Sequence, residues 1–181
     1  LGLLSLSTSD YRELGALTDR LLCALTPNHT SLSLPSLRLD TFSLNLMEKA
    51  SQTRKSGLTF APEAGSQRLR DVINKNITAE DVLRAMSLAF QGGWNGAKLY
   101  FMLGLPTETL EDVAGIAQLT RSIEQLYQEL PRAQRPRRLE LTVSTALFIP
   151  KPFTAFQWAG QMKGEQLLER LGAGPETSVQ A

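Results

Sequence analysis

The feature that most restricts the fold of this 181-residue chain is an alternation of short apolar runs with longer segments of helical period. Runs of strand length occur at Leu3 to Ser7, Ser31 to Leu34, Leu58 to Ala61, Ala97 to Leu103 and Leu139 to Phe148. Connections of helix length separate them, which favours parallel pairing in βα units over antiparallel hairpins. Tyr11, Leu14, Leu17, Leu21 and Leu25 recur at three- or four-residue steps, as do Leu110, Val113, Ile116, Ile123 and Tyr127 with one gap. Each set makes an apolar stripe on a helix that covers a sheet. Asp10 with Glu13, Thr78 with Asp81 and Thr109 with Asp112 have the spacing of N-terminal capping pairs, in which short acceptors satisfy unpaired backbone donors. Ser66 to Ile73 reads as a short helix ended near Asn74 to Asn76, with a second helix from Ala79 to Phe90.

The strands also alternate in polarity. Ser5 and Ser7 interleave with Leu4 and Leu6, Ser31 and Ser33 with Leu32 and Leu34, Thr142 and Ser144 with Leu141 and Val143, and Thr59 and Ala61 flank Phe60. Side chains alternate across a strand, so one face of the sheet is aliphatic and the other carries hydroxyls. The aliphatic face belongs under the helices. A closed eight-stranded barrel fills its interior with branched apolar side chains, so a hydroxyl-lined interior points to an open or partial (β/α) barrel around a polar ligand. An antiparallel sheet with one wet face is the alternative, and the helix-length connections weigh against it.

Composition narrows the class further. With 42% hydrophobic and 20% charged residues the chain suits a soluble domain with a sizeable core. A formal charge of +1 supplies no broad field for nucleic acid or an anionic membrane. No apolar run approaches the roughly 20 residues that cross a bilayer, and the expected location is the cytoplasm. The one cysteine, Cys23, excludes an intrachain disulfide and any multi-cysteine metal site. Leu1 to Leu6 is apolar without a basic leader or an initial Met, which suits a chain cut within a domain better than a signal peptide.

Three stretches resemble the later strands of radical SAM (S-adenosylmethionine) enzymes. Lys55-Ser-Gly-Leu-Thr-Phe-Ala-Pro-Glu-Ala-Gly-Ser-Gln-Arg-Leu-Arg-Asp-Val-Ile-Asn-Lys75 is similar to that family's fourth strand and following helix. Lys98-Leu-Tyr-Phe-Met-Leu-Gly-Leu-Pro-Thr-Glu-Thr109 resembles the fifth strand and its Gly-x-Pro-x-Glu-Thr turn, and Phe148-Ile-Pro-Lys-Pro-Phe-Thr154 the exit of the sixth. The resemblance covers about residues 1 to 160, as roughly strands 2 to 6 of a partial TIM-like α/β barrel, and leaves 161–181 as a short helix and a disordered tail. Leu6-Ser-Thr-Ser-Asp-Tyr11 and Phe156-Gln-Trp-Ala159 are similar to uncharacterised radical SAM proteins that carry a cobalamin-binding-like domain ahead of the barrel.

The resemblance implies a chemistry and a set of positions. In the family a C-x-x-x-C-x-x-C loop after the first strand holds a 4Fe-4S cluster. The cluster chelates S-adenosylmethionine and cleaves it to a 5′-deoxyadenosyl radical that takes hydrogen from a substrate, with an electron donor such as flavodoxin or ferredoxin. That loop would precede Leu1, so this chain alone is expected to be inactive, its substrate unspecified and cobalamin held, if at all, by a missing domain. Glu63 falls where the family binds the ribose or the methionine part, and a carboxylate suits either hydroxyls or an ammonium. Gly104 lets backbone approach the adenine and Pro106 stiffens the turn. Met102 falls against the adenine ring, Tyr100 stands where some relatives have a ribose-binding Asp, and Lys98 shares their parity and is expected to meet substrate or pair with Glu63. Ser36 and Arg38 correspond to a loop that supplies a partner for the carboxylate of S-adenosylmethionine, for which the Arg fork is suited.

Other residues read more plainly. His29 has no companion ligands and is solvated, Cys23 is a small core residue, Trp94 and Trp158 are packing anchors, and Arg132 to Arg138 is a solvated basic loop. Two alternatives from other classes remain: a non-catalytic adenine-nucleotide-binding or assembly domain on a degenerate barrel, and an RNA-binding βα module built on that basic loop.

Overall fold

The computed structural model describes residues 1, 11–28, 30, 57–132 and 135–166. The strand candidates Leu3 to Ser7 and Ser31 to Leu34 lie outside the described residues, as do Ser36, Arg38, His29, Asp10 and residues 167–181. Helix α1 spans Leu14–Leu25 and leads into a single 3₁₀ turn at Thr26–Asn28. Its buried side is Leu14, Thr18 and Leu22, one position away from much of the expected stripe, while Tyr11 is exposed. Cys23 is exposed, which corrects its reading as a core residue: the buried row at i, i+4, i+8 turns it toward solvent. Glu13 is the residue before the helix and makes no side-chain cap; its expected partner Asp10 lies outside the described residues.

The remaining elements follow the alternation. Strand β1 is Leu58–Glu63, followed by helices α2, Gln67–Val72, and α3, Ala79–Gln91. Strand β2 is Gly96–Leu103, helix α4 is Leu110–Glu129 and strand β3 is Glu140–Leu147. The strands form a parallel sheet in the order β1-β2-β3. This is the architecture of a (β/α) barrel segment, with β2 in its centre.

Burial follows strand parity. Ala97, Leu99, Phe101 and Leu103 of β2 join Phe60 of β1 in a core with Val82, Met86 and Phe90 of α3 and Val113, Ile116, Leu119 and Ile123 of α4. Each such side chain contributes about 1.5–3 kcal/mol when fully buried. Leu119 fills the gap in the expected α4 stripe. Trp94 joins this core, and Phe90 meets Tyr127 edge-on at 5.7 Å between ring centres. Both sequence-predicted capping boxes on the core helices are present, Thr78 with Asp81 and Thr109 with Asp112.

A second apolar cluster lies where the strands end: Ala64, Leu69, Leu105 and Phe148, with Met102, Ile73, Phe156 and Ala159 packed against it. Phe148 and Phe156 meet at right angles, 6.0 Å apart. The segment after β3 is ordered by its own turn bonds, Gln157 N–H to Thr154 O at 3.1 Å and Thr154 Oγ1 to Lys151 O at 2.7 Å. Trp158 is 90% exposed on it, so the expected anchor role is corrected: Phe156 and Ala159 supply the packing and Trp158 points away.

Candidate functional site at the strand ends

Lys98, Tyr100 and Met102 occupy the β2 face turned away from the helices. Their register partners on β3 are Thr142, Ser144 and Ala146, and Thr59 of β1 stands beside Lys98. The hydroxyl-bearing face expected from alternation is therefore continuous across the three strands. Lys98 and Tyr100 are exposed on it, whereas Met102 is half-buried against the second cluster.

Glu63 ends β1 beyond a shift in its pairing with β2. Phe60 pairs with Leu99 but Glu63 pairs with Phe101, so β1 carries one extra residue over that interval. Such a bulge re-aims the strand end, while the alternation of burial runs on through it: Phe60 and Pro62 are buried, and Thr59, Ala61 and Glu63 are not. Glu63 also has φ of 69°, a left-handed conformation uncommon for a residue with a side chain. Its carboxylate meets Lys75 Nζ at 3.2 Å, not Lys98. Asn74, at φ of 54°, explains how Lys75 returns to the strand end: asparagine tolerates the left-handed position that closes a helix.

Arg70 supports the turn after Glu63 from below. Its side chain is fully buried and donates to the carbonyls of Ala64 at 2.9 Å and Gly65 at 3.1 Å, and to Gln67 Oε1 at 3.1 Å. Burial lowers its pKa, opposed by the charge of Asp71, yet guanidinium remains protonated at any ordinary pH. A cation enclosed by carbonyl oxygens fixes both peptide planes next to Glu63.

The second turn follows β2. Glu108 N–H donates to Leu105 O at 3.1 Å, with Pro106 second and Thr107 third in the turn. Thr107 has φ of 67°, the type II pattern in which glycine is the usual third residue. Holding a β-branched residue there costs on the order of 1–3 kcal/mol. Gly104, at φ of 83°, donates its N–H to Glu108 Oε2 at 2.6 Å. A Cβ on Gly104 would lie 3.2 Å from Met162 Cβ and 3.3 Å from its Cε; the close approach that this glycine permits is made here by Met162.

The two turns are tied together. Asp112, buried at the start of α4, accepts hydrogen bonds from Ser66 Oγ, from Arg68 Nη2, from Arg68 Nε at 3.3 Å, from Thr109 N–H at 2.7 Å and from Thr109 Oγ1 at 2.9 Å. Arg68 also donates to Thr107 O at 2.8 Å. Burial alone raises the Asp112 carboxyl, but the bonds from Arg68, Ser66 and Thr109 outweigh it and hold the group well below the usual carboxylate range. Backbones touch at the same place. A Cβ on Gly65 would fall on the Asp112 carbonyl oxygen and the Ile116 nitrogen, and one on Gly115 would lie 2.9 Å from the Gly65 carbonyl carbon.

Two of the three recognisable stretches thus converge at one end of adjacent parallel strands, and the third, through Phe148, packs on the cluster between them. The family model of the radical SAM superfamily matches residues 3–120. The chain belongs to the radical SAM superfamily. It is also 40% identical over 126 residues to the uncharacterised protein MJ0966 of Methanocaldococcus jannaschii, an alignment covering 70% of this chain and 25% of that relative. The chain therefore spans about a quarter of the relative's length. The family match takes in α1, β1, α2, α3, β2 and the first half of α4.

For a radical SAM chain, the donor inventory separates the family's two groups. A carboxylate at the strand end and an open hydroxyl-bearing face suit the ammonium and ribose of S-adenosylmethionine. A 4Fe-4S cluster does not fit this chain's own residues, because cluster ligation takes several thiolates and Cys23 stands alone on α1. Among the described residues no three His, Cys, Asp or Glu side chains are grouped to hold a metal ion, and no helix is long and apolar enough to cross a membrane. Sequence reasoning missed Arg70 and Lys75, and it saw Asp112 as a cap without its second partner. The Asn74-Lys75 pair was the available signal, since asparagine closing a helix turns the following lysine back on the strand.

Proposed function

We propose that this chain forms the nucleoside side of a radical SAM site, with Glu63 and the Gly104 turn bordering the adenosyl group and cluster ligands supplied by sequence outside it. The observation that carries the reading is the convergence of Glu63 and the Gly104 turn at one end of neighbouring strands, beside a polar face open to a ligand. Glu63 accepts hydrogen bonds from the ribose hydroxyls or the methionine ammonium, and Lys75, 3.2 Å from its Oε1, orients the carboxylate. Met102 offers an apolar contact to the adenine ring, beside Tyr100 and Lys98 on the same face. Pro106 sets the turn, Gly104 leaves room at its start, and Met162 shifts or lines the pocket when the ligand enters. Ser36 and Arg38, outside the described residues, are the partners that the family resemblance assigns to the carboxylate of S-adenosylmethionine. S-adenosylmethionine bound there would supply radical chemistry toward a substrate. The complete enzyme works in the cytoplasm with a flavodoxin- or ferredoxin-type electron donor, and any cobalamin belongs to a separate domain.

The test uses the complete polypeptide after anaerobic reconstitution with iron and sulfide. Wild type shows cluster absorption and releases 5′-deoxyadenosine on reduction, and Glu63→Gln weakens S-adenosylmethionine binding by on the order of tenfold, the scale of one charge-assisted hydrogen bond. Nucleotide binding without cluster absorption would instead favour a non-catalytic adenine-nucleotide domain. Absence of both would remove the reading altogether.

A further inference from the structure

Two neighbouring turns each hold a non-glycine residue in the left-handed region, Glu63 at φ of 69° and Thr107 at φ of 67°. Conformations of this kind persist only where surrounding contacts over-determine them, and they gather at functional sites. The side-chain bonds that run from one turn to the other converge on one pair. Ser66 and Arg68, on the β1 side, both donate to Asp112 on the β2 side, and Arg68 continues to Thr107 O at 2.8 Å and Thr107 Oγ1 at 3.4 Å. Asp112 is simultaneously the third residue of the α4 capping box. We infer that Arg68 and Asp112 are positioning residues that lock the Glu63 turn to the Gly104 turn, and so fix the span across which an adenosyl group is held. The inference rests on the site proposed above.

The geometry gives the pair more than a stability role. Arg68 lies on α2 and Asp112 on α4, elements fed by different strands, and Gly65 and Gly115 bring the two backbones into contact beneath them. Both acceptors of Arg68, Thr107 and Asp112, lie on the β2 side, so separating the turns by about an ångström lengthens these bonds together. A ligand spanning both turns therefore meets a preset gap and spends none of its binding free energy on closing it. An internal control exists on α3, where Arg84 pairs with Asp81 of another capping box at 2.6 Å but both residues belong to the same helix.

The experiment compares Arg68→Gln, Arg68→Lys and Arg84→Gln in the complete polypeptide. Two measurements are made: S-adenosylmethionine affinity of the reconstituted protein, and amide hydrogen exchange of residues 64–66 and 104–109 without ligand. Arg68→Gln weakens affinity on the order of tenfold, the scale expected when a site loses preorganisation, while Arg84→Gln changes it by less than about twofold. Arg68→Lys, which keeps charge but not the planar fork, falls between them. Exchange quickens in both turns together in Arg68→Gln, and in neither for Arg84→Gln. Unchanged affinity in Arg68→Gln, or faster exchange confined to residues 64–66, overturns the positioning role. If wild type binds no S-adenosylmethionine, the functional reading fails while the exchange measurement still decides whether the two turns are locked.

Discussion

Helices α3 and α4 begin with the same device and use it differently. Thr78 and Asp81 exchange side-chain and backbone bonds at the start of α3, as Thr109 and Asp112 do at the start of α4, and each aspartate has an arginine partner. At α3 the partner is Arg84, one turn along, and the group closes on itself in solvent. At α4 the partners are Arg68 and Ser66, more than forty residues away in sequence, and the aspartate is buried beneath them. The comparison teaches that a capping motif gives a helix its start, while its surroundings decide whether that start also fastens one turn to another.

The sharpest way to break the contrast is at the backbone. Gly65→Ala pushes a methyl group onto the Asp112 carbonyl and the Ile116 nitrogen, which cannot move without displacing α4. The expected loss is about 4 kcal/mol, at the upper end of overpacking effects. Gly92→Ala, at the far end of α3, meets the Trp94 side chain at 2.7 Å and costs less, because a ring can rotate away. Urea unfolding of both variants measures the difference, and equal losses would mean that the α4 contact is no tighter than an ordinary loop.

Removing the carboxylates comes next. Asp112→Ala takes away the cap and strands Ser66 and the Arg68 fork, for about 2–3 kcal/mol. Asp81→Ala removes a solvent-exposed cap for about 1 kcal/mol. Denaturant midpoints within error of each other would erase the distinction drawn between the two helices.

The smallest effect is a pH dependence. Both aspartates are held below their ordinary range, Asp81 chiefly by the backbone and hydroxyl bonds of Thr78, Asp112 by Arg68, Ser66 and Thr109 against the opposing effect of burial. A carboxylate depressed in the folded state contributes stability in full above its unfolded value of about 4, and loses it as pH falls through the folded value. Stability therefore declines below about pH 4 for both sites. Asp112→Asn flattens that acid limb more than Asp81→Asn, as unfolding measurements between about pH 2 and 6 would show.

The contrast also marks what could be read from the sequence. The three described strands, the Ser66-led helix and both capping boxes followed from periodicity and local spacing, since each is decided within a few residues. The superfamily followed from the wording of the turns. The α1 face was misjudged because buried Thr18 does not register as apolar, and Trp158 because an aromatic ring says nothing about which way its loop turns. Arg70 reads as a surface residue until the Ala64 and Gly65 carbonyls surround it. The bulge before Glu63 and the Arg68–Asp112 bonds depend on how β1 meets β2 and α4, which no local window contains. The resemblance could name positions such as Glu63 and Gly104 in advance, whereas the contacts of Glu63 with Lys75 and of Asp112 with Arg68 required the fold.

The basic stretch after α4 illustrates the same point at the surface. Arg135 stacks 5.5 Å above the Tyr127 ring and donates to the last carbonyls of α4, at Gln128 and, at 2.9 Å, at Leu130, while the Tyr127 hydroxyl donates to Pro136 O at 2.7 Å. Arg138 lies 3.9 Å from Glu140. Of the four guanidinium groups between residues 132 and 138, that of Arg135 is thus committed within the protein, and that of Arg138 stands beside an acidic neighbour. A polyanion approaching this loop would displace fewer counterions than the arginine tally suggests, and its attachment would fade less steeply with added salt.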